Sequence, residues 1–200
     1  MRDTASMTTP VPLTFLLSAD DVEGLPRSPR EVAVIGRSNV GKSSLLNAVA
    51  GKQGLARTSK TPGRTQLLNC FVTPTGATVV DLPGYGYAKA SKDDRRRWRR
   101  RMDRYLRERE PLAMVLALVD GEVGPTALDL EVLAFLRDHE VPFTVVATKH
   151  DKVKASTRER RKRDLATGCG LEQKQIVWVS AEKNVNIPRL RGLVAAWLGS

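Results

Sequence analysis

Eight residues, Gly36-Arg37-Ser38-Asn39-Val40-Gly41-Lys42-Ser43, have the spacing G-x-x-x-x-G-K-[ST]. Glycines placed this way let a loop turn its backbone N–H groups inward around an anion. The lysine and hydroxyl behind them add a positive charge and an oxygen ligand. The chemistry is that of a polyphosphate. Lys42 reaches the β- and γ-phosphates, Ser43 binds Mg²⁺, and the backbone from Gly36 to Ser44 wraps the phosphate chain. The pattern carries this meaning between a strand and a helix. Glu31–Ile35 is an apolar run of β type, and Ser44–Val49 has helical apolar spacing. The ordinary alternative is a glycine turn with a surface lysine.

Three shorter patterns follow in order. Asp81-Leu82-Pro83-Gly84 closes an apolar run. Asp81 suits a carboxylate that holds Mg²⁺ through water, and the Gly84 N–H suits a γ-phosphate contact. Thr148-Lys149-His150-Asp151 closes another run. A carboxylate at Asp151 accepts from N1–H and the 2-amino group of guanine, a donor pair that adenine lacks. The Lys149 stem can lie over the base plane. Val179-Ser180-Ala181 ends a third run, where a small residue lets a backbone N–H approach guanine O6. Each is weak alone, with turns or mixed-charge loops as alternatives. Their force is the order, each at the C-terminal end of a predicted strand, where open α/β sheets bind ligands.

The elements that must position these groups alternate. Strands are expected at Glu31–Ile35, Leu67–Thr73, Ala77–Leu82, Ala113–Val119, Phe143–Ala147 and Ile176–Val179. Helices are expected at Lys42–Val49, Asp93–Glu110, Ala127–His139, Ser156–Thr167 and Ile187–Leu198, the last with Pro188 in its first turn. Thr73-Pro74-Thr75-Gly76 joins the second and third strands as a hairpin. The fold class is therefore α/β, three layers, with a six-stranded mixed sheet that is parallel except for one antiparallel edge strand. Residues 1–12 read as a flexible lead and 13–200 as a single domain.

The chain has 200 residues, 22.0 kDa, a net charge of +11 and a pI near 10.1. No run is apolar enough to cross a membrane, and Cys70 and Cys169 lack metal-ligand spacing, so a cytoplasmic protein with reduced thiols is expected. The charge points to a polyanionic partner, with simple solubility as the alternative. It concentrates in Arg95-Arg96-Arg97-Trp98-Arg99-Arg100-Arg101, continuing through Arg104, Arg107 and Arg109, and in Arg158, Arg160, Arg161, Lys162 and Arg163. Both runs are either solvated helix faces or contacts to RNA phosphates. Trp98, Met102, Tyr105 and Leu106 recur at helical spacing and read as a buried stripe. His139 and His150 sit in no ligand cluster.

The four patterns match the translation-factor class of P-loop GTPases, whose domain is Ras-like. The strings GRSNVGKSS (36–44), KTPGRTQ (60–66) and DLPGYGYA (81–88) resemble the EngB (YihA/YsxC) family of bacterial ribosome-biogenesis GTPases, over nearly all of Ser18 to Leu198. The resemblance implies a slow GTPase switch that assists assembly of the large (50S) ribosomal subunit and is needed for growth, cell division or septation. It implies GTP, GDP, Mg²⁺ and rRNA as ligands, with no membrane and nothing demanding more than a monomer. It makes Thr65 the switch threonine on Mg²⁺, flanked by Gly63 and Arg64 at the nucleotide, with Thr61 the competing candidate. Ras-type enzymes place a water-orienting glutamine where Tyr85 stands, so intrinsic hydrolysis should be slow. Asn39 resembles the asparagine that holds K⁺ beside the phosphates in related GTPases; otherwise it is a turn residue. The competing functional readings are a nucleotide-gated rRNA-binding module with incidental hydrolysis, a membrane-linked signalling GTPase, and an ATPase or small-molecule kinase.

Overall fold

The computed structural model describes residues 9–56, 67–86 and 92–199, apart from the side chains of Lys92, Asp94 and Arg95. Gly63, Arg64, Thr65 and Thr61 therefore lie outside the described residues, as do residues 1–8. Among the described residues seven strands run β1 (Thr14–Ala19), β2 (Glu31–Gly36), β3 (Leu68–Val72), β4 (Thr78–Asp81), β5 (Leu112–Asp120), β6 (Phe143–Thr148) and β7 (Ile176–Trp178). Five α-helices connect them: α1 (Lys42–Ala50), α2 (Lys92–Glu108), α3 (Ala127–Asp138), α4 (Arg158–Gly168) and α5 (Ile187–Leu198).

The strands form one sheet in the order β1-β3-β4-β2-β5-β6-β7. The pairs β2–β4, β2–β5, β5–β6 and β6–β7 are parallel. All six residues of β2 are buried, which is why this strand reads as continuously apolar rather than alternating. The hairpin expected between β3 and β4 is present. Thr73 N–H donates to Ala77 O at 2.8 Å, and Gly76 turns the chain at φ +84°.

The sheet has one strand more than the six expected. β1 pairs antiparallel with β3 and takes the edge, so the antiparallel strand lies one position inside it. Thr14 to Leu16 are exposed and the register shifts between Phe15 and Leu17, so β1 shows neither a buried run nor clean alternation. Val11 is buried, and its N–H donates to Val49 O at 3.1 Å.

Two apolar layers enclose the sheet. α1 and α5 cover one face through Leu45, Leu46, Val49, Leu190 and Val194. α2, α3 and α4 cover the other through Met102, Tyr105, Leu133, Leu136 and Leu165. The stripe expected on α2 holds: Met102, Tyr105 and Leu106 are buried and Trp98 packs against them.

At the end of the sheet where β2 begins, Glu31 is fully buried. Its carboxylate accepts from Tyr105 Oη at 2.6 Å, Thr78 Oγ1 at 2.6 Å, and Arg109 Nε and Nη2 at 2.9 and 2.8 Å. A charge taken out of water persists only when its lone pairs are met in this way. The cluster clamps the C-terminal end of α2 to the sheet. It also removes Arg109, 10% exposed, from the expected basic surface.

Candidate nucleotide site

The site is built on the C-terminal ends of the parallel strands. β2 runs into the glycine loop, and the chain leaves as α1. Gly36 has no room for a side chain: a methyl there would meet Val40 Cγ1 at 2.8 Å and Leu118 Cβ at 2.9 Å. Gly41 is needed for another reason. Space around it is open, but its φ is +106°. Asn39 also adopts a left-handed turn, φ +65°, as asparagine tolerates. Gly41 is the N-cap of α1 and supplies no side-chain cap. The first-turn N–H groups of that helix, from Lys42 through Ser44, therefore point at whatever anion the loop encloses.

β4 delivers Asp81 and Gly84 against this loop. A methyl on Gly84 would lie 3.1 Å from Lys42 Nζ and 3.1 Å from Ser38 N, so the two segments touch. Asp81 is buried, and its Oδ1 has no hydrogen-bond partner among the described residues. Burial pushes its carboxyl up to about 6, although Lys42 and a hydrogen bond from Asn69 pull the other way. An orphaned buried oxygen on an acid at the mouth of an anion loop is short of positive charge. That, with the Ser43 hydroxyl on the first turn of α1, is a donor set of hard oxygens that fits Mg²⁺.

The base end is wired by hydrogen bonds between β5, β6 and β7. Thr148 Oγ1 donates to Val40 O at 2.7 Å and so fastens this end to the glycine loop. Lys149, at φ +55°, donates from Nζ to Asp120 Oδ2 at 2.7 Å. Asp120 Oδ1 accepts from the N–H groups of Glu122 and Val123. Ser180 Oγ donates to Asp151 Oδ1 at 2.5 Å. Burial raises the Asp151 carboxyl, but that hydroxyl, the backbone, and Lys152 and Lys183 nearby outweigh it, so the group stays below the usual range. It is an acceptor at neutral pH. Val179 O accepts from His150 N–H, and the Ser180 N–H is taken by Val185 O.

The structure thus brings Gly36–Ser44, Asp81, Gly84, Thr148, Lys149, Asp151, Val179, Ser180 and Ala181 to one end of one sheet. It adds residues that sequence reasoning passed over. Asp120 was legible, as an acid ending an apolar run. Asp129 was legible only as the acid of a Thr126-x-x-Asp129 helix cap, and nothing local pointed to its pairing with Tyr85. Cys70 and Cys169 are buried free thiols, and burial pushes both up to about 11, which disfavours the thiolate.

Comparison with known proteins agrees with this geometry. Residues 31–149 match the family model described as 50S ribosome-binding GTPase. A probable GTP-binding protein EngB from Pelotomaculum thermopropionicum is 43% identical over 170 residues, covering 84% of this chain and 86% of that protein. The chain belongs to the EngB family of P-loop GTP-binding proteins. Its activity, as that of this family, is GTP hydrolysis. A solved structure of a probable EngB superposes with a TM-score of 0.69 at 25% identity, over 84% of this chain and 98% of that one. Era in complex with MgGDPNP and nucleotides 1506–1542 of 16S ribosomal RNA superposes at 0.63 and 25% identity, over 84% of this chain and 56% of that one.

Within the EngB frame the position after Gly84 is notable. The Tyr85 side chain is buried between α2 and α3. Its hydroxyl donates to Asp129 Oδ1 at 2.7 Å, and its ring meets Trp98 edge-on at 5.5 Å. Its one O–H donor is therefore committed to Asp129.

Proposed function

We propose that this EngB-family GTPase is a slow switch that assists assembly of the large ribosomal subunit, with GTP favouring the ribosome-bound state and hydrolysis releasing it. One observation carries the reading. Trp98 Nε1 on α2 donates to Pro83 O at 2.8 Å, so the arginine-rich helix hangs directly from the segment read as the γ-phosphate contact. Exposed Arg96 and Arg100 on that helix, and Arg160 and Arg163 on α4, supply sequence-independent contacts to rRNA phosphates. The family model's description supports a ribosomal partner, and the Era complex shows that a protein of similar fold binds rRNA. The protein acts in the cytoplasm as a monomer and serves growth and cell division through the ribosome; no helix among the described residues is long and apolar enough to cross a membrane.

In this reading the backbone of Gly36 to Ser44 holds the phosphates with Lys42. Ser43, Asp81 and Thr65 hold Mg²⁺, which would neutralise phosphate charge. Gly63 and Arg64 flank Thr65 at the nucleotide. Thr148, Lys149, Asp151 and Val179–Ala181 form the guanine pocket. With the Ser180 N–H committed to Val185, Ala181 offers its N–H to guanine O6. Asn39 holds K⁺ beside the phosphates, a role that equal kcat in K⁺ and Na⁺ buffers would remove.

Co-sedimentation with isolated ribosomal subunits tests the partner. Selective large-subunit binding with a non-hydrolysable GTP analogue, surviving moderate salt, is the expected result. Equal binding to both subunits with GDP or analogue, lost steeply with salt, would reduce the arginines to a polycation. The second reading, a nucleotide-gated rRNA-binding module with incidental hydrolysis, is favoured by the packing of the Tyr85 side chain against Asp129 and Trp98. Full function in a hydrolysis-dead variant would choose it.

A further inference from the structure

Asp129 is 1% exposed and lies on α3, outside every nucleotide-binding pattern. Its Oδ2 accepts from Thr126 N–H and Thr126 Oγ1, both at 2.7 Å, and so caps α3. That alone would be an ordinary capping box. Its other oxygen, however, accepts from Tyr85 Oη at 2.7 Å, and Arg37 Nε of the glycine loop lies 4.0 Å from Oδ2. One carboxylate therefore touches the segment after β4, the glycine loop and α3.

Tyr85 is held on three sides. Its N–H donates to Gly36 O at 3.3 Å, and its carbonyl accepts from Ser38 N–H at 2.9 Å. Its ring rests on Trp98 and its hydroxyl on Asp129. Burial and the Asp129 carboxylate keep the phenol protonated, so Oη is the donor. Gly84, the preceding residue, has its backbone fixed by the same grip.

We propose that Tyr85 and Asp129 are positioning residues for γ-phosphate recognition: Asp129 anchors the Tyr85 hydroxyl, and the anchored tyrosine sets the path of the backbone that presents the Gly84 N–H. This rests on the reading of Gly84 as the γ-phosphate contact. The residue that replaces the usual glutamine serves as a peg for the switch rather than as a guide for water. Because Trp98 leans on the same peg, the position of Gly84 and that of the α2 arginines are set together.

The test uses the full chain with Mg²⁺, titrated with fluorescent GDP and with a fluorescent non-hydrolysable GTP analogue. Tyr85→Phe keeps the ring on Trp98 and removes only the hydroxyl. It should lower analogue affinity about fivefold to tenfold, the net scale of one ordinary hydrogen bond, and leave GDP affinity within about twofold. Asp129→Asn should shift the same ratio in the same direction. A purely structural cap predicts parallel losses for both nucleotides, and that outcome overturns the proposal. Gly84→Ala separates the two readings. If it abolishes the difference between nucleotides while Tyr85→Phe and Asp129→Asn do not change it, the proposal alone falls. If Gly84→Ala itself leaves analogue affinity unchanged, the γ-phosphate reading falls and the proposal with it.

Discussion

In the proposed function, Asp151 concentrates base selection in one carboxylate. Ser180 Oγ occupies one side of it at 2.5 Å and keeps it oriented and ionised. Replacing it by asparagine exchanges an acceptor for a donor at one position and leaves a guanine N–H unpaired. Asp151→Asn should weaken GDP binding about tenfold to hundredfold, measured by isothermal titration, with ADP binding absent throughout. The residues that do this work differ in how openly they announce themselves. Gly36 and Gly41 are legible in a string because backbone geometry admits nothing else there: one lacks space and the other needs a positive φ. Asp120 and Asp129 are ordinary acids until the fold gives them Lys149 and Tyr85, 29 and 44 residues away.

At the scale of elements, α2 is the informative one. From Lys92 to Glu108 it carries nine cationic and four acidic residues. The string suggests uniform positive charge, but the structure divides it. Arg104 pairs with Asp21, Glu23 and Glu108, Arg107 with Asp103, and Arg99 with Glu131, while Arg109 just beyond the helix is taken up by Glu31. A face with exposed Arg96 and Arg100 lies toward the N-terminal half. If it meets RNA, the double variant Arg96→Ala/Arg100→Ala should flatten the slope of log K against log salt by about 1.5 to 2, with no change in GDP affinity. An unaltered slope in filter-binding measurements would assign these residues to solvation.

For the whole molecule, the buried cluster around Glu31 joins β2, β4 and α2 at the end of the sheet away from the nucleotide. The hydrogen bonds to Glu31 span 47 to 78 residues. Arg109→Met strips the cation from a fully buried carboxylate. It should cost about 3–5 kcal/mol in urea unfolding of the nucleotide-free protein, far above the fraction of a kcal/mol expected for an exposed pair such as Lys174–Glu172. Nucleotide affinity of the folded fraction should be unchanged, since the cluster and the site lie at opposite ends of β2.

By itself the sequence determined the fold class, the order of βα units, the hairpin, and the loops that gather at the C-terminal ends of the parallel strands. Those features follow from local rules: apolar runs make buried strands, and glycines make tight turns where phosphate must come close. Only the tertiary structure decided that β1 closes the sheet, that Asp120 holds Lys149, that Tyr85 turns inward to Asp129, and which arginines of α2 are already used. Each of these is a pairing between residues distant in the chain. A pairing energy exists only when folding brings both partners into a place that excludes water, and no stretch of sequence contains both of them.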